Sequence, residues 1–127
     1  MKKDKTGVYI APGRKLWAQE KRVAEILALD GHYVEFLVEG LLPSADIRLD
    51  GVEFEIKSPE SFNPNTLEHT IRDTLKQSSN IIIDTSRMKR AHDYQVQRFL
   101  TGIVYRNTRI KRLLMVTKRG KIIDIMA

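Results

Sequence analysis

The sequence contains no cysteine. Disulfide frameworks, cysteine-ligated zinc ribbons and thiol nucleophiles are therefore excluded together, and a reducing compartment is compatible with the chain. Histidine is scarce. The three present, His32, His69 and His92, lack the spacing of metal ligands and are assigned no catalytic role. Long apolar runs are missing as well. None approaches the roughly 18–20 residues of a membrane span, and the basic start, MKKDKTGVYIAPGRK, has no apolar stretch long enough for a secretory signal. A soluble, unprocessed chain without a membrane segment is expected, either free-standing or one domain of a longer protein. There is no internal repeat, low-complexity tract or linker.

The 127 residues are 42% hydrophobic. That is enough for one core, so a single domain over 1–127 is expected. The formal net charge of +6 is unevenly placed. Residues 1–85 hold 11 Lys/Arg and 14 Asp/Glu, whereas residues 86–127 hold 11 and 2. An acidic part beside a basic one suits a phosphodiester enzyme, with carboxylates for metal and cations for phosphate. On charge alone, a basic protein with solvated Lys and Arg fits as well.

Periodicity orders the chain. Pro12-Gly13 breaks it early, and residues 14–30 read as a helix with Leu16, Val23, Ile26 and Leu27 on one stripe. Trp17 reads as a core or staple residue. Gly31 is a C-cap, residues 32–38 a strand and residues 40–44 a loop. A second helix begins at 63–65 and runs to about 78, followed by a buried strand at 80–84. A third helix covers about 91–106, and strands at 113–117 and 121–125 close the chain. This is a mixed α/β domain with helices covering a central sheet.

The informative stretch runs from Ala45 to Lys57. Asp50-Gly51 between alternating segments is a two-residue hairpin signal, because both turn residues need positive φ. With those two in the loop, Leu49 faces Val52, Arg48 faces Glu53, Ile47 faces Phe54 and Asp46 faces Glu55. One face then carries Ile47, Leu49, Val52, Phe54 and Ile56 and must meet the core. The other carries Asp46, Arg48, Glu53, Glu55 and Lys57. Directly opposed, Asp46 and Glu55 bring their Cβ atoms to about 4.5–5.5 Å. Their repulsion needs an offset: a divalent cation, a raised pKa on one acid, or Lys57. Glu-x-Lys alone is common on solvated strand faces. It is the coincidence of Asp46 and Glu55 across a turn of fixed register that points to chemistry.

Asp46 followed by Glu55-Ile56-Lys57, spaced by a hairpin and preceded by a glutamate-bearing helix, resembles the PD-(D/E)XK nuclease superfamily. The resemblance implies a restriction-endonuclease-like core of order α-β-β-β-α-β over about 14–84, with an added helix and strand pair forming a basic extension over 85–127. A fuller likeness joins Pro43-Ser-Ala-Asp46, Asp50-Gly51, Glu55-Ile-Lys-Ser-Pro59, Lys76-Gln-Ser78, Asn80-Ile-Ile-Ile-Asp84, Ile110-Lys-Arg-Leu113 and Gly120-Lys-x-Ile-Asp124. Together these are similar to the C-terminal tRNA-nuclease domain of contact-dependent growth-inhibition toxins. That likeness implies cleavage of RNA, and of tRNA in particular, together with a cognate immunity protein. It also implies action in the cytoplasm, after delivery from another cell where the domain is part of a larger toxin.

The resemblance further implies that Asp46 and Glu55 bind Mg²⁺ or Mn²⁺ with the Ile56 carbonyl as a third ligand. Lys57 would orient the nucleophile or stabilise charge, Glu20 would hold a metal-bound water, and Gln77 would assist; Glu25 is the second choice to Glu20. Candidate phosphate contacts, as one group, are Arg87, Lys89, Arg90, Arg106, Arg109, Lys111 and Arg112. Tyr94, Arg98, Thr101 and Tyr105 share a helix face that reads first as a core edge and second as a stacking platform. Two rivals remain: a DNA endonuclease of the same fold, and a non-catalytic nucleic-acid-binding or mobile-element protein that keeps it.

Overall fold

The computed structural model describes residues 5–38 and 46–127. The elements are β1 (Gly7–Ile10), α1 (Ala18–Leu29), β2 (Tyr33–Phe36), β3 (Ile47–Leu49), β4 (Val52–Lys57), α2 (Pro64–Thr74), β5 (Asn80–Asp84), α3 (Asp93–Arg106), β6 (Arg112–Val116) and β7 (Ile122–Asp124). The strands form one seven-stranded sheet in sequence order. Pairing is parallel for β1–β2, β4–β5 and β5–β6, and antiparallel for the rest.

Each sheet face carries its own core. On one side Val23, Ala24 and Leu27 of α1 pack on Val34, Phe36, Ile47, Phe54 and Ile82. On the other, Leu67 and Ile71 of α2 and Val96 and Leu100 of α3 pack on Ile81, Ile83 and Met115. The unbroken apolar run of β5 is what a parallel strand covered on both faces requires. Each fully buried Ile or Phe contributes roughly 1.5–3 kcal/mol relative to exposure.

The expected mixed α/β architecture is present, but its order is not the shorter one the superfamily resemblance implies. A strand, β1, precedes α1 and lies parallel to β2 at the sheet edge. Val8, Tyr9 and Ile10 gave a short β signal that the surrounding basic residues and the Pro12-Gly13 break obscured. The first helix starts at Ala18, not at residue 14. Residues 14–17 stay outside the helix, where Arg14 Nε donates to the Leu37 carbonyl at 3.1 Å and its guanidinium pairs with Glu20 at 3.2 Å. Trp17 is the N-cap residue and is 71% exposed, so it is not a core residue. The second helix ends at Thr74, where the Thr74 carbonyl accepts from both Gln77 and Ser78 amides and the chain turns early. The expected loop at 40–44, and residues 43–45 of the motif before Asp46, lie outside the described residues.

The hairpin has the register expected of it. Leu49 pairs with Val52, Arg48 with Glu53 and Ile47 with Phe54. Asp50 and Gly51 take φ of 48° and 85°, the two positive values a tight turn matched to strand twist demands. Asp50 also ties the turn to β2: its carboxylate accepts from the Tyr33 amide at 2.8 Å and contacts His32 Nδ1 at 2.6 Å, and its own amide donates to the Tyr33 carbonyl at 2.8 Å. Ile47, Leu49, Phe54 and Ile56 are buried as the alternation requires, whereas Val52, at the turn, is 38% exposed. Gly51→Val should lower unfolding free energy by about 1–2 kcal/mol, the cost of a left-handed conformation for a side-chain-bearing residue. The urea midpoint of the variant measures it.

Candidate active site

The register that pairs Ile47 with Phe54 sets Asp46 opposite Glu55, one residue beyond the hydrogen-bonded ladder. Each carboxylate is held by the other strand's backbone. The Asp46 amide donates to Glu55 Oε1 at 3.0 Å, and the Ile56 amide donates to Asp46 Oδ2 at 3.3 Å. Lys57 Nζ stands 3.6 Å from Glu55 Oε2. Beyond the end of α2, the Gln77 side-chain amide lies against the same carboxylate; the orientation that satisfies both groups has its nitrogen donating to Oε2 at 2.6 Å and Oε1 at 3.3 Å. The charged face of the hairpin is thus not solvated here: Glu55 is only 4% exposed.

Burial without a full counter-charge moves both acids the same way. The Asp46 carboxyl is raised above the ordinary aspartate range, chiefly by burial and also by the nearby charge of Glu20; the Ile56 amide, Lys57 and Arg14 pull against this. Glu55 is pushed up to about 7, by burial first and the Asp46 charge second, with Lys57 and the Asp46 amide opposing. The geometry thus uses two of the offsets that opposed carboxylates call for, a held proton and a neighbouring ammonium.

Glu20 faces this pair from the start of α1. Its Oε1 accepts from the Trp17 amide at 2.8 Å, half of a capping box, and its Oε2 pairs with Arg14. Glu25, the alternative, lies elsewhere, beside Val8 and Ile10. A cavity of about 250 Å³ opens between Trp17, Glu20, Asp46, Glu55, Lys57 and Arg87. Lys57 also borders two adjoining hollows, one towards Thr70 and Gln77 and one towards Ser61 and Thr66. Among the described residues, no three His, Cys, Asp or Glu side chains gather as a metal cluster. Among the described residues, the acids bordering the cavity are Asp46, Glu55 and Glu20, the last engaged by Arg14. A two-carboxylate set is of the kind that suits a cation retaining most of its waters, as Mg²⁺ does.

The sequence shows a motif ending in Asp84 but no sign of the network this acid makes. Asp84, fully buried at the end of β5, accepts from Arg22 Nη1 at 2.9 Å, Ser58 Oγ at 2.9 Å, and the Ser86 amide and hydroxyl at 3.0 Å each. Arg22 continues to the Thr117 and Lys118 carbonyls at 2.8 and 3.0 Å. The network pins the strand end that follows Lys57 to α1 and to the turn before β7. Its partners are far apart in sequence, and the only local signal is an acid ending an apolar strand.

The cationic candidates come from two segments. Arg87, Lys89 and Arg90 follow the C-terminal end of β5, on which Ile81 is level with Glu55 and Ile83 with Lys57. Arg87 borders the cavity and pairs with Glu60. Arg106, Arg109 and Lys111 precede β6 and Arg112 opens it, level with Asn80 at the start of β5; Arg106 pairs with Glu68 at 3.2 Å and Arg112 sits 5.1 Å from the Phe54 ring centre. A five-residue strand separates the groups by roughly 15 Å. On α3, Tyr94 and Tyr105 are 60% and 85% exposed, so their face is open and not a core edge.

The model of the contact-dependent growth inhibition CdiA C-terminal domain family matches residues 43–122, well over half of the chain and all of the hairpin. The chain belongs to that family. A solved CdiA-CT/CdiI toxin and immunity complex from Burkholderia pseudomallei is similar over 93% of this chain and 97% of that one, with a TM-score of 0.75 and 20% identity. At that identity the likeness shows a shared fold. No curated protein matches. Among the described residues of this family member, no helix is long and apolar enough to cross a membrane.

The raised Glu55 pKa carries a stability signature. Below about pH 4.5 both the folded and unfolded chains hold this proton, and the group costs nothing. Between there and about pH 7 the unfolded chain releases it first, so stability falls as pH rises; above 7 the full cost remains. Glu55→Gln, measured in EDTA, should therefore gain on the wild type with rising pH, reaching on the order of 2 kcal/mol at pH 8. Urea melts at pH 5 and pH 8 give the comparison, and a gain equal at both would contradict the assignment.

Proposed function

We propose that this CdiA C-terminal domain is a metal-dependent endoribonuclease that cleaves tRNA and acts as a toxin. The observation carrying the reading is the Asp46–Glu55 pair, fixed face to face by the hairpin with Lys57 beside it. The PD-(D/E)XK pattern of these three residues supports it, as does Arg87 on the wall of the same cavity.

Asp46 and Glu55, with the Ile56 carbonyl, would hold Mg²⁺ or Mn²⁺, which when bound supplies positive charge to a phosphate oxygen and lowers the pKa of a coordinated water. Lys57 stabilises the charge that builds on the reacting phosphate and orients the nucleophile. Gln77, donating to Glu55, fixes that carboxylate's orientation. Glu20, held by Arg14 and the Trp17 amide, orients a water from the helix side. Arg87 meets the phosphate backbone at the cavity mouth. Arg106, Arg109, Lys111 and Arg112, outside the cavity at the approach to β6 and its start, would contact backbone further along, as a large folded RNA allows. Because the similar solved structure is a toxin and immunity complex, a cognate immunity protein is the proposed partner, and the cytoplasm of a target cell the site of action.

Total tRNA and plasmid DNA, incubated side by side with Mg²⁺ or Mn²⁺, test this. Wild-type protein should cleave tRNA, EDTA should stop it, and Asp46→Ala or Lys57→Ala should slow it by roughly a hundredfold or more. Plasmid cleavage without tRNA cleavage would favour the DNA endonuclease. Undiminished effect of Asp46→Ala in cells, without cleavage in vitro, would favour a non-catalytic nucleic-acid-binding protein.

A further inference from the structure

Trp17 is the only tryptophan in the chain, and neither the core nor the helix start accounts for it. At 71% exposure it leaves most of a large apolar ring in water. As an N-cap it occupies a position that favours Ser, Thr, Asp or Asn, and its indole makes no capping bond. Glu20 uses only the Trp17 main-chain amide, which any residue but proline supplies. What distinguishes the indole is its place on the wall of the cavity that holds Asp46, Glu55, Lys57 and Arg87.

We propose that Trp17 is a stacking platform for a nucleobase adjoining the phosphate seated at Lys57 and Arg87. This assignment rests on the nucleic-acid reading of the site. The indole presents a flat apolar face at low conformational cost, and base stacking on such a face is tolerant of sequence. Lys57 and Arg87, bordering the same cavity, suit the phosphate of the same nucleotide. An exposed tryptophan is also a common anchor in protein interfaces. Its sharing a wall with the acidic pair and both cations is why a nucleotide is the occupant argued for.

Because there is one tryptophan, its fluorescence reports this contact alone. Asp46→Ala protein in EDTA, which keeps the RNA intact, is titrated with total tRNA and, at matched phosphate and salt, with inorganic polyphosphate, which has no bases. The expected result is quenching, and protection from acrylamide, with tRNA but not with polyphosphate. Binding to tRNA should weaken roughly tenfold in a Trp17→Ala background and recover in Trp17→Phe. In otherwise wild-type protein, Trp17→Ala should raise KM more than it lowers kcat. Equal quenching by polyphosphate, or unchanged tRNA affinity of Trp17→Ala with intact circular dichroism, overturns the assignment. Failure of the catalytic reading looks different: wild-type protein that cleaves no nucleic acid yet shows base-dependent quenching would remove the nuclease and keep the stacking site.

Discussion

Everything at the site depends on a two-residue turn. Asp50 and Gly51 adopt positive φ, and the register of the turn brings the carboxylates of Asp46 and Glu55 to opposing positions nine residues apart. A slip of one residue would send one acid to the core face, where Phe54 and Ile56 lie. The turn is anchored for that reason at both ends: Asp50 binds the start of β2, and the core face of the hairpin is filled by Ile47, Leu49 and Phe54 against α1.

The price of that arrangement is electrostatic. Two acids share a buried strand end, and the fold answers with hydrogen bonds to each from the opposing backbone, a lysine at 3.6 Å and an amide from Gln77. These do not restore an ordinary pKa to either acid. Such an unresolved pair is the kind of strain that concentrates at functional sites. The surroundings are correspondingly stiff. Asp84, Arg22 and Ser58 lock the residues after Lys57 to α1 and to β5, so the site sits on strand ends and not on a free loop. Of the cations, Arg87 borders the cavity, whereas Arg112 and the residues before it lie at the start of β6.

Much of this was legible because it is local. An Asp-Gly turn and strict alternation specify which residues face each other across a hairpin, so the opposition of Asp46 and Glu55 followed from spacing. Gln77 was reached through family likeness, and its contact with Glu55 is a tertiary fact, since it depends on how α2 ends. Long-range placements were not legible. The Asp84 network joins residues from four segments, and the separation of the basic residues into two groups depends on β5 and β6 being parallel. Trp17 was misplaced because aromatic residues favour cores on average, whereas here the helix begins only at Ala18 and leaves Trp17 exposed at its N-cap. Strand β1 was missed because four residues in a basic stretch give almost no periodic signal.

The central claim is that Asp46 and Glu55 form a cation site at the phosphate cavity. Calorimetric titration of Mn²⁺ at pH 8 into wild-type protein and into Asp46→Asn and Glu55→Gln variants tests it most directly. The account predicts one saturable site in the wild type that either substitution abolishes. Wild-type protein that binds no Mn²⁺, or variants that bind it as the wild type does, would contradict it.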